Sequence, residues 1–182
     1  PYPTTTNTYQ SVGYDSGTSG NDRVLTDNIS NTFLSSGEGD DFVTLSGWNL
    51  GVDAGSGNDV IVFSNTSGVG VIGGAGSDHF VFDSNAYESF SVLDIQAGKI
   101  ADFTNGVDKI AIINTDLTDF SAIQSSIVQI GANTQFTFEG RNVTLENFNA
   151  SLLDASDFVF ASNDGSGGTP PSGNSVTVSS IA

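Results

Sequence analysis

Short apolar segments and glycine-rich polar loops alternate along the first half of this chain at a nearly constant interval. Each of four loops closes with an aspartate, and two residues later an apolar side chain follows at the same phase: Asp22 and Val24, Asp41 and Val43, Asp59 and Ile61, Asp78 and Phe80. The aspartates are 19, 18 and 19 residues apart, about twice a nine-residue repeat. Such a period predicts a wound coil of short strands that share one core, and not a layered globule.

The intervening half-turns keep apolar residues but lack the glycine-then-aspartate loop. They comprise residues 28–34, 47–52 and 67–72. We therefore expect the glycine-rich loops to lie on one side of the coil only. The alternative is an antiparallel sheet in which Gly-Asn-Asp segments form ordinary hairpin turns. Four copies at a near-constant interval favour the coil.

The loops are candidate calcium sites. Glycine can adopt positive φ and turn carbonyl oxygens inward, and the aspartate adds a carboxylate to the same cup. Because calcium takes roughly 6 to 8 oxygen ligands, two stacked loops are needed for each ion. Four loops therefore predict three Ca²⁺ positions, one between each successive pair of the four aspartates. The residues predicted to hold the ions are Gly17, Ser19, Gly20, Asp22, Ser36, Glu38, Gly39, Asp41, Ala54, Ser56, Gly57, Asp59, Gly73, Ala75, Gly76 and Asp78.

Beyond the repeats, the pattern predicts a β-rich cap, since the last turn of a coil exposes its core and an unpaired strand edge. Apolar or alternating runs predict strands at 110–113, 127–130, 135–138 and 143–145, and one short helix is expected around 119–126. The fold class is therefore all-β. The chain divides into an N-terminal arm or edge strand (1–16), the coil (17–82), the cap (83–161), and a linker with an alternating strand at 175–181 (162–182).

The repeats resemble those of the repeats-in-toxin (RTX) family of secreted bacterial proteins, which implies a right-handed parallel β-roll that binds calcium. Residues 100–103 and 106–112 are similar to the stretch that follows the roll in the C-terminal domains of serralysin-like metalloproteases and their relatives. Residues 143–148 and 152–160 resemble the closing strands of that domain. The resemblance covers about residues 17–161. The chain is expected to be either a processed piece of a longer protein or, as the resemblance implies, a protein secreted through an uncleaved C-terminal signal.

The chain departs from this family pattern in two places. Relatives often carry an acidic residue where this chain has Gly98-Lys99, which leaves a fourth ion at the end of the roll open. Its candidate ligands are Asp83, Asp94 and Asp102. The family module also stops soon after a segment such as 157–160, whereas this chain continues to residue 182.

Composition supports a calcium-rich setting. The chain has 21 acidic and 4 basic residues, a formal charge of −17, so like-charge repulsion opposes the compact state. Three calcium ions would lower this charge to about −11 and favour folding coupled to the metal. The same charge argues against nucleic acid and anionic lipid as partners. Cysteine is absent, which excludes disulfides and thiolate metal sites, and no run is long and apolar enough to span a membrane.

The sequence gives no support for catalysis. It contains no cysteine nucleophile, no H-E-x-x-H zinc signature and no G-x-S-x-G elbow. His79 follows a repeat aspartate, where packing or solvent exposure is the default role. Asp40 and Asp41 are a pair of acids of the kind used in glycoside hydrolysis, but their phase in the repeat assigns them to calcium. Trp48 would suit glycan stacking, yet isolated aromatic residues on strands more often pack in a core or at an edge.

These features predict a calcium-binding extracellular structural protein, secreted or at the cell surface, that forms a subunit of a surface layer, fibre or matrix. The strand at 175–181 could add to the exposed edge of another copy and give a homopolymer. Alternatively, this segment folds back on its own domain, serves in export or begins a further domain. Two other functions stay open: a C-terminal folding and export module of a secreted hydrolase or epimerase, and an adhesin domain.

Overall fold

A computed structural model describes residues 6–9, 14–84 and 96–162. Within these residues, a short α-helix (α1) spans Ser121–Gln124, and two 3-10 helices span Ala150–Leu152 and Ala155–Asp157. The strands are β1 Thr6–Tyr9, β2 Tyr14–Thr18, β3 Arg23–Thr26, β4 Ile29–Gly37, β5 Phe42–Asp53, β6 Val60–Ser67, β7 Gly70–Ile72, β8 His79–Asp83, β9 Gln96–Ile100, β10 Lys109–Thr115, β11 Val128–Ile130, β12 Asn133–Phe138, β13 Arg141–Leu145 and β14 Phe158–Ser162.

Most strands belong to two ladders of parallel pairings, with one strand in each ladder per turn of the chain. The first ladder stacks β1, β3, the first half of β5, β6, β8, β10 and β14. The second stacks β2, β4, the second half of β5, β7, β9 and β13. Parallel pairing throughout both ladders rules out the hairpin alternative. The fold is an all-β, right-handed parallel β-roll, as predicted.

One hydrophobic core runs through the roll, because alternate residues of each strand point inward. Successive turns are in register, with Ile61 beside Phe80 and Phe63 beside Phe82. All four side chains are fully buried, and the rings of Phe63 and Phe82 stack with centroids 4.4 Å apart. Because equivalent side chains stack turn after turn, the loops at the strand ends are also held one above another.

A cap of three strands extends the second ladder at the end of the roll. β13 pairs in parallel with β9, and β12 and β11 follow with antiparallel pairings. Phe136 and Phe138 of β12 are buried, and the Phe138 ring lies 5.7 Å from that of Phe82 in the roll. The four strands predicted after the repeats are confirmed as β10 to β13, and α1 lies within the range predicted for a helix.

The half-turns without aspartate loops have their own stacking arrangement. Asn31 and Asn49 occupy corresponding positions with φ of 53° and 54°, and Gly68 follows one turn later with φ of 62°. The Asn49 side-chain amide donates to Asn31 Oδ1 at 2.7 Å. Asparagine and glycine tolerate this left-handed conformation best. Stacked amides therefore support this side of the roll, while the glycine–aspartate loops lie elsewhere on each turn.

Several sequence-based expectations fall outside the described residues. These include the strand at 175–181, the linker before it and Asp94. In the described part of the chain, β1 pairs with β3 in the first ladder and β2 pairs with β4 in the second. The division of the chain into four segments stays a prediction. None of the helices in the described ranges has the length and hydropathy of a membrane-spanning segment.

Candidate metal centre

The four glycine-rich loops stack on one another because the strands that follow them are in register. Backbone hydrogen bonds also join the loops directly. The Ser56 N–H donates to the Gly37 carbonyl at 3.0 Å, and the Ala75 N–H donates to the Gly55 carbonyl at 2.9 Å. Consecutive loops are therefore separated by one hydrogen-bonded step, which brings the oxygens of two loops into each gap.

Glycine is required at two positions in each of the three inner loops, which we define as residues 36–41, 54–59 and 73–78. A Cβ at Gly55 would lie 1.8 Å from the Gly37 carbonyl oxygen, and one at Gly76 would lie 1.7 Å from that of Gly57. L side chains rarely adopt these φ values, and the backbone of the preceding loop fills the space. The glycines are Gly37, Gly39, Gly55, Gly57, Gly74 and Gly76, with φ of 106°, 115°, 96°, 137°, 97° and 142°.

The loop-closing aspartates form a buried column, and each is at most 2% exposed. The N–H groups of Asp22, Asp41 and Asp59 donate to Oδ1 of the aspartate one turn later, at 2.7, 2.8 and 3.0 Å. The same contact continues from the Asp78 N–H to Asp108 Oδ1 at 3.0 Å. Each of these carboxylates therefore reaches back toward the preceding loop.

Three of these aspartates have a second carboxylate oxygen without a partner. Oδ2 of Asp41, Asp59 and Asp78 is buried and accepts no hydrogen bond from any described residue. Burying such an oxygen is costly unless a proton or a cation neutralises it. An oxygen-only donor set suits calcium and not metals that prefer thiolate or imidazole. The inner loops therefore fit a calcium ion.

Backbone carbonyls would have to supply most of the ligands. Among the described residues, no three histidine, cysteine, aspartate or glutamate side chains converge as they would in a site built from side chains alone. Two predicted ligands, the carbonyls of Ser56 and Ala75, accept hydrogen bonds from the N–H groups of Gly39 and Gly57 at 2.7 and 2.8 Å. Each carbonyl oxygen has a second lone pair that remains for a cation. The individual ligand assignments stay predictions.

Burial raises the pKa values of the column carboxyls. The pKa of Asp59 rises to about 7 and that of Asp78 to about 6. Burial also raises the pKa of Asp41 and of Asp108. In each case the hydrogen bond from the preceding aspartate's N–H opposes the rise, while neighbouring carboxylates add to it. Without a counter-cation, the column therefore carries its negative charge at a free-energy cost.

A second, exposed ladder runs beside the column at the position before each aspartate. Asn21 Oδ1 accepts from the Asp40 N–H at 3.0 Å, Asp40 Oδ1 accepts from the Asn58 N–H at 2.8 Å, and Asn58 Oδ1 accepts from the Ser77 N–H at 3.0 Å. Asp40 therefore lies outside the column and links adjacent loops through hydrogen bonds to Asn21 and Asn58.

Asp108 is the column residue that repeat analysis missed. It is 3% exposed and takes the next place after Asp78, although 30 residues separate the two in sequence. Residues 106–110 read Gly-Val-Asp-Lys-Ile, the same Gly-x-Asp-x-apolar phase as the repeats. This local pattern could have identified Asp108, but the interval after Asp78 is longer than the repeat interval and concealed it.

The two candidates for a fourth ion that lie within the described residues have other partners. Both carboxylate oxygens of Asp102 accept backbone N–H groups, from Gly73 at 2.9 Å and from Gly74 at 2.7 Å. Asp83 Oδ1 accepts from the Asn114 amide at 2.7 Å. These contacts tie the end of the roll to the segment that follows it.

Comparisons with known proteins place this geometry in context. The family model for the C-terminal domain of the M10 serralysin peptidases matches residues 15–166. The fold is similar to the AlgE6R3 subunit of the mannuronan C5-epimerase from Azotobacter vinelandii, with 21% identity, a TM-score of 0.49, and coverage of 96% of this chain and 91% of that chain. It is also similar to the extracellular lipase LipA from Serratia marcescens, with 12% identity, a TM-score of 0.40, and coverage of 83% and 40%. The comparison with curated proteins gave no match.

Proposed function

The chain belongs to the family of peptidase M10 serralysin C-terminal domains, and from this premise we propose that it is an extracellular β-roll that binds calcium and is folded and made rigid by the ion after secretion. The observation that carries the proposal is the set of three buried carboxylate oxygens without partners, at Asp41, Asp59 and Asp78. They lie in stacked loops whose glycines leave room only for backbone. Bound calcium would supply positive charge and an oxygen-seeking coordination sphere at these positions.

Secretion would provide the switch for folding. Extracellular calcium modules bind with dissociation constants of roughly 10⁻⁴ to 10⁻³ M, so such sites would be empty at intracellular calcium levels. With a formal charge of −17 and no ion, the repelling carboxylates favour an expanded chain that is competent for export. Folding would then follow when the chain meets calcium outside the cell.

Calorimetric titration tests the proposal directly. We expect the full chain to bind Ca²⁺ with a gain of β-sheet circular dichroism, and to respond weakly to Mg²⁺, which is smaller and prefers octahedral sites that retain water. Titration with Mg²⁺ under identical conditions is therefore the control. Absence of heat and of structural change at millimolar Ca²⁺ would refute the proposal.

We further propose a structural role for the folded domain, as a subunit of a surface layer, fibre or matrix that self-associates. Within the described residues, β14 pairs only with β10 and β11 only with β12, so each presents one open edge. Val128 and Ile130 of β11 are 45% and 53% exposed. Open edges with apolar side chains favour strand addition by another chain.

Electron microscopy with and without calcium tests the assembly role. Ordered polymers in calcium that disappear when residues 169–182 are removed would support linkage through the strand at 175–181. Polymers that persist in the truncated chain would refute this linkage, and single particles under both conditions would refute assembly.

A second candidate function follows from the family match itself. The matched model describes the C-terminal part of a peptidase, so this chain would act as the folding and export module of a secreted enzyme. The complete gene distinguishes the two roles. A catalytic domain encoded upstream favours the module, whereas its absence favours a free-standing structural protein.

A further inference from the structure

The residue four positions before each column aspartate differs between the inner loops and the loops at the two ends. In the inner loops it is Gly37, Gly55 or Gly74, each with φ near +100°. In the first loop it is Thr18, and in the loop that closes with Asp108 it is Thr104. The three glycine loops are the same three whose aspartates keep an unpartnered Oδ2.

The two threonine loops satisfy this oxygen internally. The Thr18 N–H donates to Asp22 Oδ2 at 2.6 Å, and the Thr18 hydroxyl donates to the same oxygen at 2.8 Å. The Thr104 N–H donates to Asp108 Oδ2 at 2.8 Å. A backbone N–H bonded to a carboxylate is a charge-assisted contact and neutralises part of its charge. In these two loops the oxygen therefore has no need of a cation.

Backbone sterics explain the difference. Threonine is β-branched and strongly disfavours the positive φ that the inner glycines adopt. A threonine loop is therefore held with its N–H toward its own aspartate. In the third inner loop, the Gly74 N–H instead donates to Asp102 and leaves Asp78 Oδ2 without a partner.

We propose that the chain holds a column of three calcium ions, one at each of Asp41, Asp59 and Asp78, and that Thr18 and Thr104 close the column at its two ends. The inference rests on the proposed calcium-binding function, keeps the three ions predicted from the repeats and adds the residues that limit the column to three. Beyond the third inner loop, the carboxylate oxygens that a fourth ion would use already accept hydrogen bonds. Asp108 Oδ2 accepts from the Thr104 N–H, and Asp102 accepts from the N–H groups of Gly73 and Gly74. The acidic groups at the end of the roll are thus satisfied by hydrogen bonds and not by an ion.

A matched pair of variants tests this assignment in the full chain. Asp78 and Asp108 are 1% and 3% exposed, and each accepts the preceding aspartate's N–H through Oδ1 at 3.0 Å. Asparagine keeps this acceptor and removes the charge at Oδ2. Bound calcium is counted by equilibrium dialysis with metal analysis and by native mass spectrometry. We expect three ions for the unmodified chain, two for Asp78→Asn and three for Asp108→Asn.

The outcomes separate this inference from the proposed function. A chain that binds no calcium overturns both. Four ions in the unmodified chain, loss of an ion in Asp108→Asn, or retention of all three in Asp78→Asn overturns only the closure by threonine. Anomalous scattering from calcium in crystals of the unmodified chain needs no variant to fold. Peaks beside Oδ2 of Asp41, Asp59 and Asp78 support the inference, and a peak beside Oδ2 of Asp22 or Asp108 refutes it.

Discussion

At the scale of single residues, each buried carboxylate oxygen in the column needs a proton, an N–H group or a cation. Asp108 Oδ2 has the N–H of Thr104. Asp59 Oδ2 has no donor among the described residues, and burial raises the pKa of this carboxyl to about 7. In the absence of calcium, protonation is therefore the remaining means of neutralising Asp59 near neutral pH.

This competition predicts an unusual pH dependence for the calcium-free protein. The pKa values of Asp59 and Asp78 are raised on folding from 3.8 to about 7 and about 6, so between pH 4 and 7 the folded state holds more protons than the unfolded state. The free energy of unfolding in chelator should therefore fall as pH rises through this window, by up to about 1.4 kcal/mol per pH unit for each group. Because protonation should restore the fold that chelation removes at neutral pH, the folded fraction in chelator, followed by circular dichroism from about pH 4 to about pH 7, measures the slope.

The control for this pH effect is Asp59→Asn, which should reduce the slope because it removes the largest contributor. Calcium competes with protons for the same oxygens, so its affinity should weaken as pH falls through the same window. A calcium-free protein whose stability rises between pH 4 and 7 would contradict the prediction.

Replacement of an inner-loop glycine should destabilise the folded domain. Gly55→Ala places a Cβ at positive φ and 1.8 Å from the Gly37 carbonyl oxygen. We expect a loss of at least about 1–3 kcal/mol in calcium, from backbone strain at this position, and a weaker affinity for the ion. The matched control is Gly70→Ala in β7, because a Cβ at Gly70 would meet nothing within 4 Å. Equal unfolding free energies for the two variants would exclude steric crowding as the reason for glycine.

At the scale of elements, the cap is held to the roll by aromatic contacts. Phe136 is fully buried, and its ring lies 5.4 Å from that of Phe158 in β14. Phe136→Ala should lower the free energy of unfolding by about 3–5 kcal/mol, because it leaves a cavity between the cap and the last turn. Urea unfolding in saturating calcium measures this loss.

The control for the cap is Ile130→Ala in the edge strand β11, where the side chain is 53% exposed. We expect a change within about 0.5 kcal/mol, as is usual for surface substitutions. If both variants lost the same stability, the cap would not depend on the aromatic core described above.

The elements also indicate what a sequence can reveal about this fold. The interval between Asp22, Asp41, Asp59 and Asp78 was sufficient to predict the coil, because a parallel roll repeats its geometry every turn. Asp108 was not identified from the sequence, because a long insertion separates it from Asp78 by more than the repeat interval. It nevertheless keeps its place in the column. The contrast between glycine and threonine loops is visible in the sequence. Its effect on the aspartate oxygens depends on hydrogen bonds that only the structure shows. The Asn31–Asn49 contact was missed for the same reason.

At the scale of the whole molecule, repulsion between acidic residues opposes the stacking of successive turns until calcium binds. The roll stacks acidic loops at the spacing of successive strands, and the chain has only 4 basic residues against 21 acidic ones. Most of its buried apolar residues form one cluster along the roll and into the cap, beside a smaller cluster of Val62, Val81 and Ala111. Loss of the loops therefore exposes the ends of every turn at once, and we expect cooperative unfolding when the ion is removed.

Chelation should thus expand the chain, and screening by salt should not reverse the expansion. At 1 M salt the Debye length is about 3 Å, which weakens repulsion between exposed carboxylates. The unpartnered oxygens of Asp41, Asp59 and Asp78 are buried, so mobile salt ions around the protein do not neutralise them. Small-angle X-ray scattering in chelator, in chelator with 1 M NaCl and in calcium separates the two effects. A compact chain in chelator with salt would mean that general repulsion, and not the unpartnered carboxylates, is what calcium relieves.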